Sequence, residues 1–277
     1  MKLTIKNLEF IIDNKKILND VGIEVPKGSF VGIIGPNGSG KSTLLKNIYR
    51  VYKPKRGEII LDGKSIFKMS SKECAREIAV LAQESSSQFD FTVEDIVKMG
   101  RYPYKSVFED YSNDDMEIVH KMIKRVGLTE HRNRIFNTLS GGEKQRTLIA
   151  RSLVQNTDFL ILDEPTNHLD IGYQIQIMDI VKALNITTLA AIHDMNIASM
   201  YCDYLIVMKK GKVITSGKTE EVLTEKLLNT LFDVSCHIGI NPVTKKKYIF
   251  YMGAHEHIYG LGADHVHDDG FTGVHSH

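Results

Sequence analysis

Lys41 and Ser42 close a glycine-rich run, Gly35-Pro36-Asn37-Gly38-Ser39-Gly40-Lys41-Ser42-Thr43, in which successive backbone N–H groups can turn inward around phosphate oxygens. The spacing puts the Lys41 ammonium on the β- and γ-phosphates of a nucleotide and the Ser42 hydroxyl on Mg²⁺. Further along, Asp163 and Glu164 follow the apolar run Phe159-Leu160-Ile161-Leu162. Asp163 suits holding Mg²⁺, directly or through water, and Glu164 suits polarising a water for attack on phosphorus. His193 comes about thirty residues after this pair, where an imidazole could hydrogen-bond the γ-phosphate and keep that water in line. Leu139-Ser140-Gly141-Gly142-Glu143-Lys144-Gln145 precedes the carboxylates and reads locally as a capped helix start, with Ser140 as N-cap and Glu143 three residues on.

The elements that must position these groups are legible around them. Phe30-Val31-Gly32-Ile33-Ile34 precedes the glycine run, and Leu44, Leu45 and Ile48 follow at helical spacing, so the loop joins a strand to a helix. That helix points its positive dipole end at the same anion. The run before Asp163 suits a parallel strand buried on both faces, with its carboxyl end at the crevice where ligands bind in such sheets. Leu189-Ala190-Ala191-Ile192 predicts another strand, which brings His193 near Glu164 if the two strands are neighbours. A plain glycine turn, or a strand ending in solvated acids, would explain either motif alone but not the two together.

In this combination the chain resembles the ATP-binding subunits of ABC transporters over roughly residues 1 to 250. The fold implied is α/β, a P-loop NTPase cassette with a mainly parallel core sheet, an antiparallel β-subdomain and a helical subdomain. LSGGEKQ is similar to the family's signature sequence, Gln83 in Leu81-Ala82-Gln83-Glu84 to its Q-loop, Leu169-Asp170 to its D-loop, and His193 in Ile192-His193-Asp194 to its switch histidine. The resemblance implies ATP and Mg²⁺ as ligands, with Ser42, Gln83 and Asp163 on the metal. It implies Glu164, His193 and Gln83 as the groups that drive hydrolysis, and Ser140, Gly141 and Gly142 as the cap on a γ-phosphate bound to a second copy. Hydrolysis then requires a head-to-tail homodimer. One position departs from the family: Ile12 stands where an aromatic ring normally stacks on adenine, and Phe10 lies two residues earlier on the same predicted face.

Composition agrees with this reading. The chain has 277 residues, 42% hydrophobic and 25% charged, enough to bury one sizeable core with a smaller appendage. A net charge of +1 without clustered Lys and Arg gives no reason to expect nucleic acid. No run of ~18 apolar residues exists to span a bilayer, and Met1-Lys2-Leu3-Thr4-Ile5 begins a strand pattern rather than a signal peptide. The expected place is the cytoplasmic face of a membrane, reached through partners. Three scattered cysteines, Cys74, Cys202 and Cys236, suit reduced thiols.

The punctuation predicts an ATPase domain over 1–252 and a tail over 253–277. Residues 1–30 alternate apolar and polar around the turn Asp13-Asn14, as antiparallel strands do. Helical spacing of Val93, Ile96, Val97 and Met99, then of Ile118, Met122, Ile123 and Val126, predicts a helical subdomain over about 86–153. A β-hairpin is expected over about 232–251, with Cys236 and His237 on opposite faces and therefore structural.

The segment Phe91 to Tyr104, with Gly100-Arg101-Tyr102-Pro103 at its centre, resembles the equivalent stretch in ATPases of ferric siderophore, haem and cobalamin importers. A helix ending at glycine and proline there would present exposed aromatic and basic groups to a partner's short cytoplasmic helix. The implied partners are integral membrane permease subunits and, indirectly, an external substrate-binding protein. The tail holds six of the eleven histidines, among them His255, His257, His265 and His267, spaced so that a few imidazoles could gather a transition metal. That feature favours a second possibility, the ATPase of a zinc or manganese importer, which the Gly100–Pro103 stretch disfavours. A soluble ABC ATPase acting on ribosomes or DNA is a third, set against one cassette and no sustained heptads.

Overall fold

The computed structural model describes residues 1–82, 90–106, 109–167 and 169–253. The chain opens with two long antiparallel strands, β1 (Leu3–Ile12) and β2 (Lys15–Val25), joined by a turn in which Asp13 and Asn14 both take positive φ. Short polar side chains tolerate that geometry, and its twist matches the hairpin's. Leu3 and Ile5 alternate inward with Thr4 and Lys6 until Asn7, where positive φ and a register shift bend the strand and let Leu8 and Phe10 continue into the core. Strand β3 (Phe30–Ile34) and helix α1 (Lys41–Ile48) follow. Then β4 (Arg56–Leu61) and the short β5 (Lys64–Ser65) return beside β1, giving an antiparallel sheet of order β2-β1-β4-β5.

Helix α2 (Ser71–Glu77) leads into β6 (Ala79–Leu81). Three helices come next, α3 (Val93–Lys98), α4 (Asn113–Arg125) and α5 (Gly141–Leu153), with a 3₁₀ segment over Met99–Tyr104. Each of the three begins with a reciprocal capping box: Thr92 with Asp95, Ser112 with Asp115, and Ser140 with Glu143. Two first-turn N–H groups are thereby satisfied at each helix start. The chain then alternates β7 (Phe159–Asp163), α6 (Ile171–Lys182), β8 (Thr187–Ala191), α7 (Met195–Tyr201), β9 (Tyr204–Lys209) and β10 (Lys212–Lys218). Helices α8 (Thr219–Val222) and α9 (Glu225–Phe232) and the hairpin β11 (Cys236–Ile240) and β12 (Lys247–Tyr251) complete it.

The central sheet has the order β10-β9-β3-β8-β7-β6, parallel throughout except for β10. It is the middle layer. Along β7, Leu160 and Leu162 join the cluster that α3, α4, α5, α6 and α7 cover, whereas Phe159 and Ile161 join the cluster shared with α1 and the antiparallel sheet. This two-sided burial accounts for the unbroken apolar runs, since each face of a parallel sheet needs its own cover. Each of these side chains contributes about 1.5–3 kcal/mol by leaving water.

The stretch over Met99–Tyr104 corrects one expectation. Tyr102 is 64% exposed, but Arg101 is buried: its Nε donates to Asp115 at 2.9 Å, its Nη1 donates to the Val154 carbonyl at 2.8 Å, and its guanidinium lies 4.2 Å from the Tyr104 ring centroid. Lys105 also pairs with Asp115. The basic groups are spent inside the lobe, because the Asp115 carboxylate that caps α4 needs cations to offset its burial. Gly100 permits the approach, for a Cβ there would fall 2.0 Å from the Arg151 carbonyl oxygen.

The hairpin β11–β12 is tied down by Asn196 of α7, which donates to the Ile249 carbonyl (3.2 Å) and accepts from its N–H (2.8 Å). Cys236 is buried, and His237 points out to pair with Glu225 at 2.9 Å. All three cysteines are free and buried. Among the described residues, no helix is long and apolar enough to cross a membrane, and no group of His, Cys, Asp and Glu gathers as a metal cluster.

Candidate functional site

The carboxyl ends of β3, β7 and β8 converge on one crevice. Strand β3 hands over to the loop Gly35–Gly40, and α1 begins at Lys41. Gly35 has φ 155°, and a Cβ there would meet the Met208 carbonyl oxygen at 2.1 Å, so only glycine lets the loop leave the sheet so closely. Lys41 is buried and its Nζ donates to the carbonyls of Gly35 (2.8 Å) and Pro36 (3.2 Å), holding the loop curled. Burial pushes its ammonium below the ordinary lysine range, against the opposing pull of Glu164 and Asp163. Asn37, Gly38, Ser39, Gly40, Lys41, Ser42, Thr43 and Glu164 line a single cleft.

Asp163 is the last residue of β7 and only 3% exposed. Burial raises its carboxyl, while a hydrogen bond from the Ser42 hydroxyl and the charges of Lys46 and Lys41 work the other way. Its Oδ1 is buried and has no hydrogen-bond partner. A carboxylate oxygen left unpaired beside a hydroxyl, at a loop shaped for phosphates, is the oxygen donor set that Mg²⁺ takes. Ser42 and Asp163 therefore fit that ion.

Glu164 follows with φ 55° and is mostly shielded from solvent. Strands β7 and β8 are neighbours in register Asp163 to Ala191, which sets His193 against Glu164: the ring Nε2 meets Glu164 Oε1. The other carboxylate oxygen accepts from the Asn167 side-chain amide. The sequence assigns no role to Asn167, and Gln145, the last residue of LSGGEKQ, donates from α5 to the Pro165 carbonyl at 2.8 Å, a contact the motif does not announce. Both contacts depend on the turn after Glu164, whose shape the local residue types do not announce.

Ser140 and Gly141 stand exposed at the start of α5, and Gly142 lies under the Tyr173 ring. Glu143 N–H donates to Ser140 Oγ at 3.3 Å, and Ser140 N–H donates to Glu143 Oε2 at 2.8 Å, so the helix start is capped as its sequence predicts. None of Ser140, Gly141 and Gly142 lines the phosphate cleft of their own chain. Ile12 ends β1, 39% exposed and paired with Lys15. Phe10 does not stand in for it: its ring is 8% exposed and stacks on Tyr52 at 4.8 Å between centroids. Gln83, His255, His257, His265 and His267 lie outside the described residues.

A phosphate-binding loop at a helix start, beside carboxylates at the ends of parallel strands, defines a P-loop nucleoside triphosphatase. The model of the family described as ABC transporter matches residues 18–167, more than half of the chain, and the chain belongs to that family. It is an ATP-binding cassette with ATPase chemistry. The ferric enterobactin transport ATP-binding protein FepC of Escherichia coli (strain K12) is 38% identical over 241 residues, which span 86% of this chain and 89% of that protein. Among solved structures, a chain described as part of a metal-chelate type ABC transporter in an inward-facing conformation superposes with a TM-score of 0.80. It is 25% identical, and the match covers 92% of this chain and 98% of that one. A dimeric ATP-binding cassette in a post-hydrolysis state bound to ADP and Pi is 28% identical, with a TM-score of 0.69 over 78% of this chain and 98% of that one.

Proposed function

We propose that this chain is the ATP-hydrolysing subunit of an importer that takes up an iron chelate, a ferric siderophore or haem, or the related cargo cobalamin. It works as a head-to-tail pair docked on membrane-embedded permease subunits at the cytoplasmic face, with an external binding protein delivering cargo. The observation that carries the catalytic part is the meeting of Glu164 and His193 across adjacent strands at the mouth of the phosphate cleft.

Lys41 and backbone N–H groups of the loop, those of Gly38, Gly40, Lys41 and Ser42, hold the β- and γ-phosphates of ATP, while the Ser39 N–H stays on the Pro36 carbonyl at 3.1 Å. Ser42 and Asp163 would hold Mg²⁺, which when bound would supply neutralisation of phosphate charge. Glu164 accepts a proton from the water that attacks the γ-phosphorus; the bond from phosphorus to the bridging oxygen breaks, and ADP and phosphate leave. His193 holds the carboxylate and the γ-phosphate in mutual register. Ser140 and Gly141, exposed and outside the lining of their own cleft, cap the γ-phosphate on a second copy, in keeping with the dimeric relative bound to ADP and Pi. Cargo identity rests on the ferric enterobactin and metal-chelate relatives.

The test is cargo uptake by cells or membranes carrying this subunit with its permease, offered ferric siderophore, haem, cobalamin or free Zn²⁺, with Glu164→Gln as the inactive control. Uptake of a chelate that disappears in Glu164→Gln is the expected result. Uptake of free Zn²⁺ alone would move the cargo to a bare metal ion and refute the chelate assignment.

A further inference from the structure

The turn that follows β7 is tied from several sides. Glu164 takes φ 55°, a left-handed conformation that disfavours a non-glycine residue, and three residues later the Asn167 N–H donates to the Glu164 carbonyl at 3.3 Å. From α5, Gln145 Nε2 donates to the Pro165 carbonyl at 2.8 Å. Main chain and Gln145 thus already close and anchor the turn. The Asn167 side chain does something else: its Nδ2 donates to Glu164 Oε2, while the His193 ring engages Oε1. An ionised carboxylate only accepts, so the amide group facing it is the NH₂.

We propose that Asn167 is a positioning residue for hydrolysis, fixing the plane of the Glu164 carboxylate; this rests on Glu164 being the group that activates water. A glutamate side chain held at one oxygen still pivots about that contact. Donors on both oxygens stop the pivot, and a carboxylate with about four acceptor sites keeps others free for a water. Asn167 is half-buried, and with the turn already closed by main chain and Gln145, orientation is what its amide adds. A displacement of the reacting geometry by about 1 Å is worth up to about a hundredfold in rate.

Steady-state ATP hydrolysis by the full chain tests this with Asn167→Leu, Asn167→Asp and Asn167→Ser, alongside thermal unfolding of each. Leucine removes the donor at similar size, aspartate replaces it by a repelling carboxylate, and serine keeps a donor hydroxyl. Expected is a kcat about tenfold lower or more for Asn167→Leu and Asn167→Asp, with KM for ATP within about twofold of wild type. Asn167→Ser falls between these and wild type. Unchanged kcat in the leucine and aspartate variants overturns the assignment. So does a joint loss of kcat, rise of KM and lowered unfolding midpoint, which would make Asn167 a scaffold residue. If wild type and Glu164→Gln hydrolyse ATP equally slowly, the role of Glu164 itself is refuted, and that result is separable from the others.

Discussion

Glu164 gives up strand geometry at the point where β7 ends, and the positive φ it accepts turns its carboxylate toward His193 instead of into the sheet. Asp163, one residue earlier, stays in the strand and keeps a buried, unpaired oxygen. In the proposed mechanism the two adjacent acids thereby take two roles, one toward a cation and one toward water. Their identity was readable from the sequence because an apolar strand ending in a carboxylate pair behind a phosphate loop has few other uses. The clamp by Asn167 was not, because it depends on a dihedral angle and not on a residue pattern. At the far end of the nucleotide the sequence did announce a departure. Ile12 is half-exposed at the end of β1 and the Phe10 ring is committed to Tyr52, so a base seated on Ile12, as the family resemblance implies, would gain apolar contact without stacking. Replacing Ile12 by Tyr should restore a stacking term of about 0.5–1.5 kcal/mol and lower KM for ATP about two- to tenfold, with kcat unchanged. Steady-state kinetics on Ile12→Tyr check this, and an unaltered KM would place the base elsewhere.

Among the elements, the short helices of the lobe stand on their caps. Helix α3 has six residues, too few to be stable by propensity alone, and begins with Asp95 accepting from both the N–H and the hydroxyl of Thr92. Lys98, then Thr92, hold the Asp95 carboxyl down from 3.8 to about 2. A carboxyl depressed on folding adds stability that is complete above its unfolded value and fades as pH falls toward its folded one. The stability gap between wild type and Asp95→Asn, measured by denaturant unfolding, should therefore hold from pH 7 to about 5 and narrow from about 4 downward. A gap independent of pH would mean the carboxylate charge is not what holds the cap. The cap pattern is legible as Thr-x-x-Asp, and so is Ser112-x-x-Asp115 before α4. What the pattern hides is that Asp115 is buried and draws Arg101 and Lys105 inward. Helical spacing shows which residues face the core but says nothing of which cation a distant carboxylate will claim. For that reason the Gly100–Pro103 stretch offers Tyr102, and not Arg101, to any permease helix.

In the molecule as a whole, the parallel sheet is a rigid middle layer that sets the phosphate loop, Asp163–Glu164 and His193 at fixed mutual distances, because their strands are hydrogen-bonded neighbours. Periodicity and apolar run length made this layer legible, along with the β1–β2 turn and the β11–β12 hairpin. The order of strands was not, since it is decided by crossovers that local residues do not encode. The α5 start, by contrast, leaves Ser140 and Gly141 uncovered and outside the lining of the cleft of its own chain. In the proposed function these exposed residues are completed by a second chain turned head to tail. The most direct test is the mass in solution of Glu164→Gln, expected to bind ATP without turning it over, followed by analytical ultracentrifugation with and without ATP and Mg²⁺. The expected result is a monomer that becomes a pair only with ATP, and a return to monomer when Ser140→Arg is added. A Glu164→Gln chain that stays monomeric with ATP, or pairs regardless of Ser140, would contradict the head-to-tail pairing.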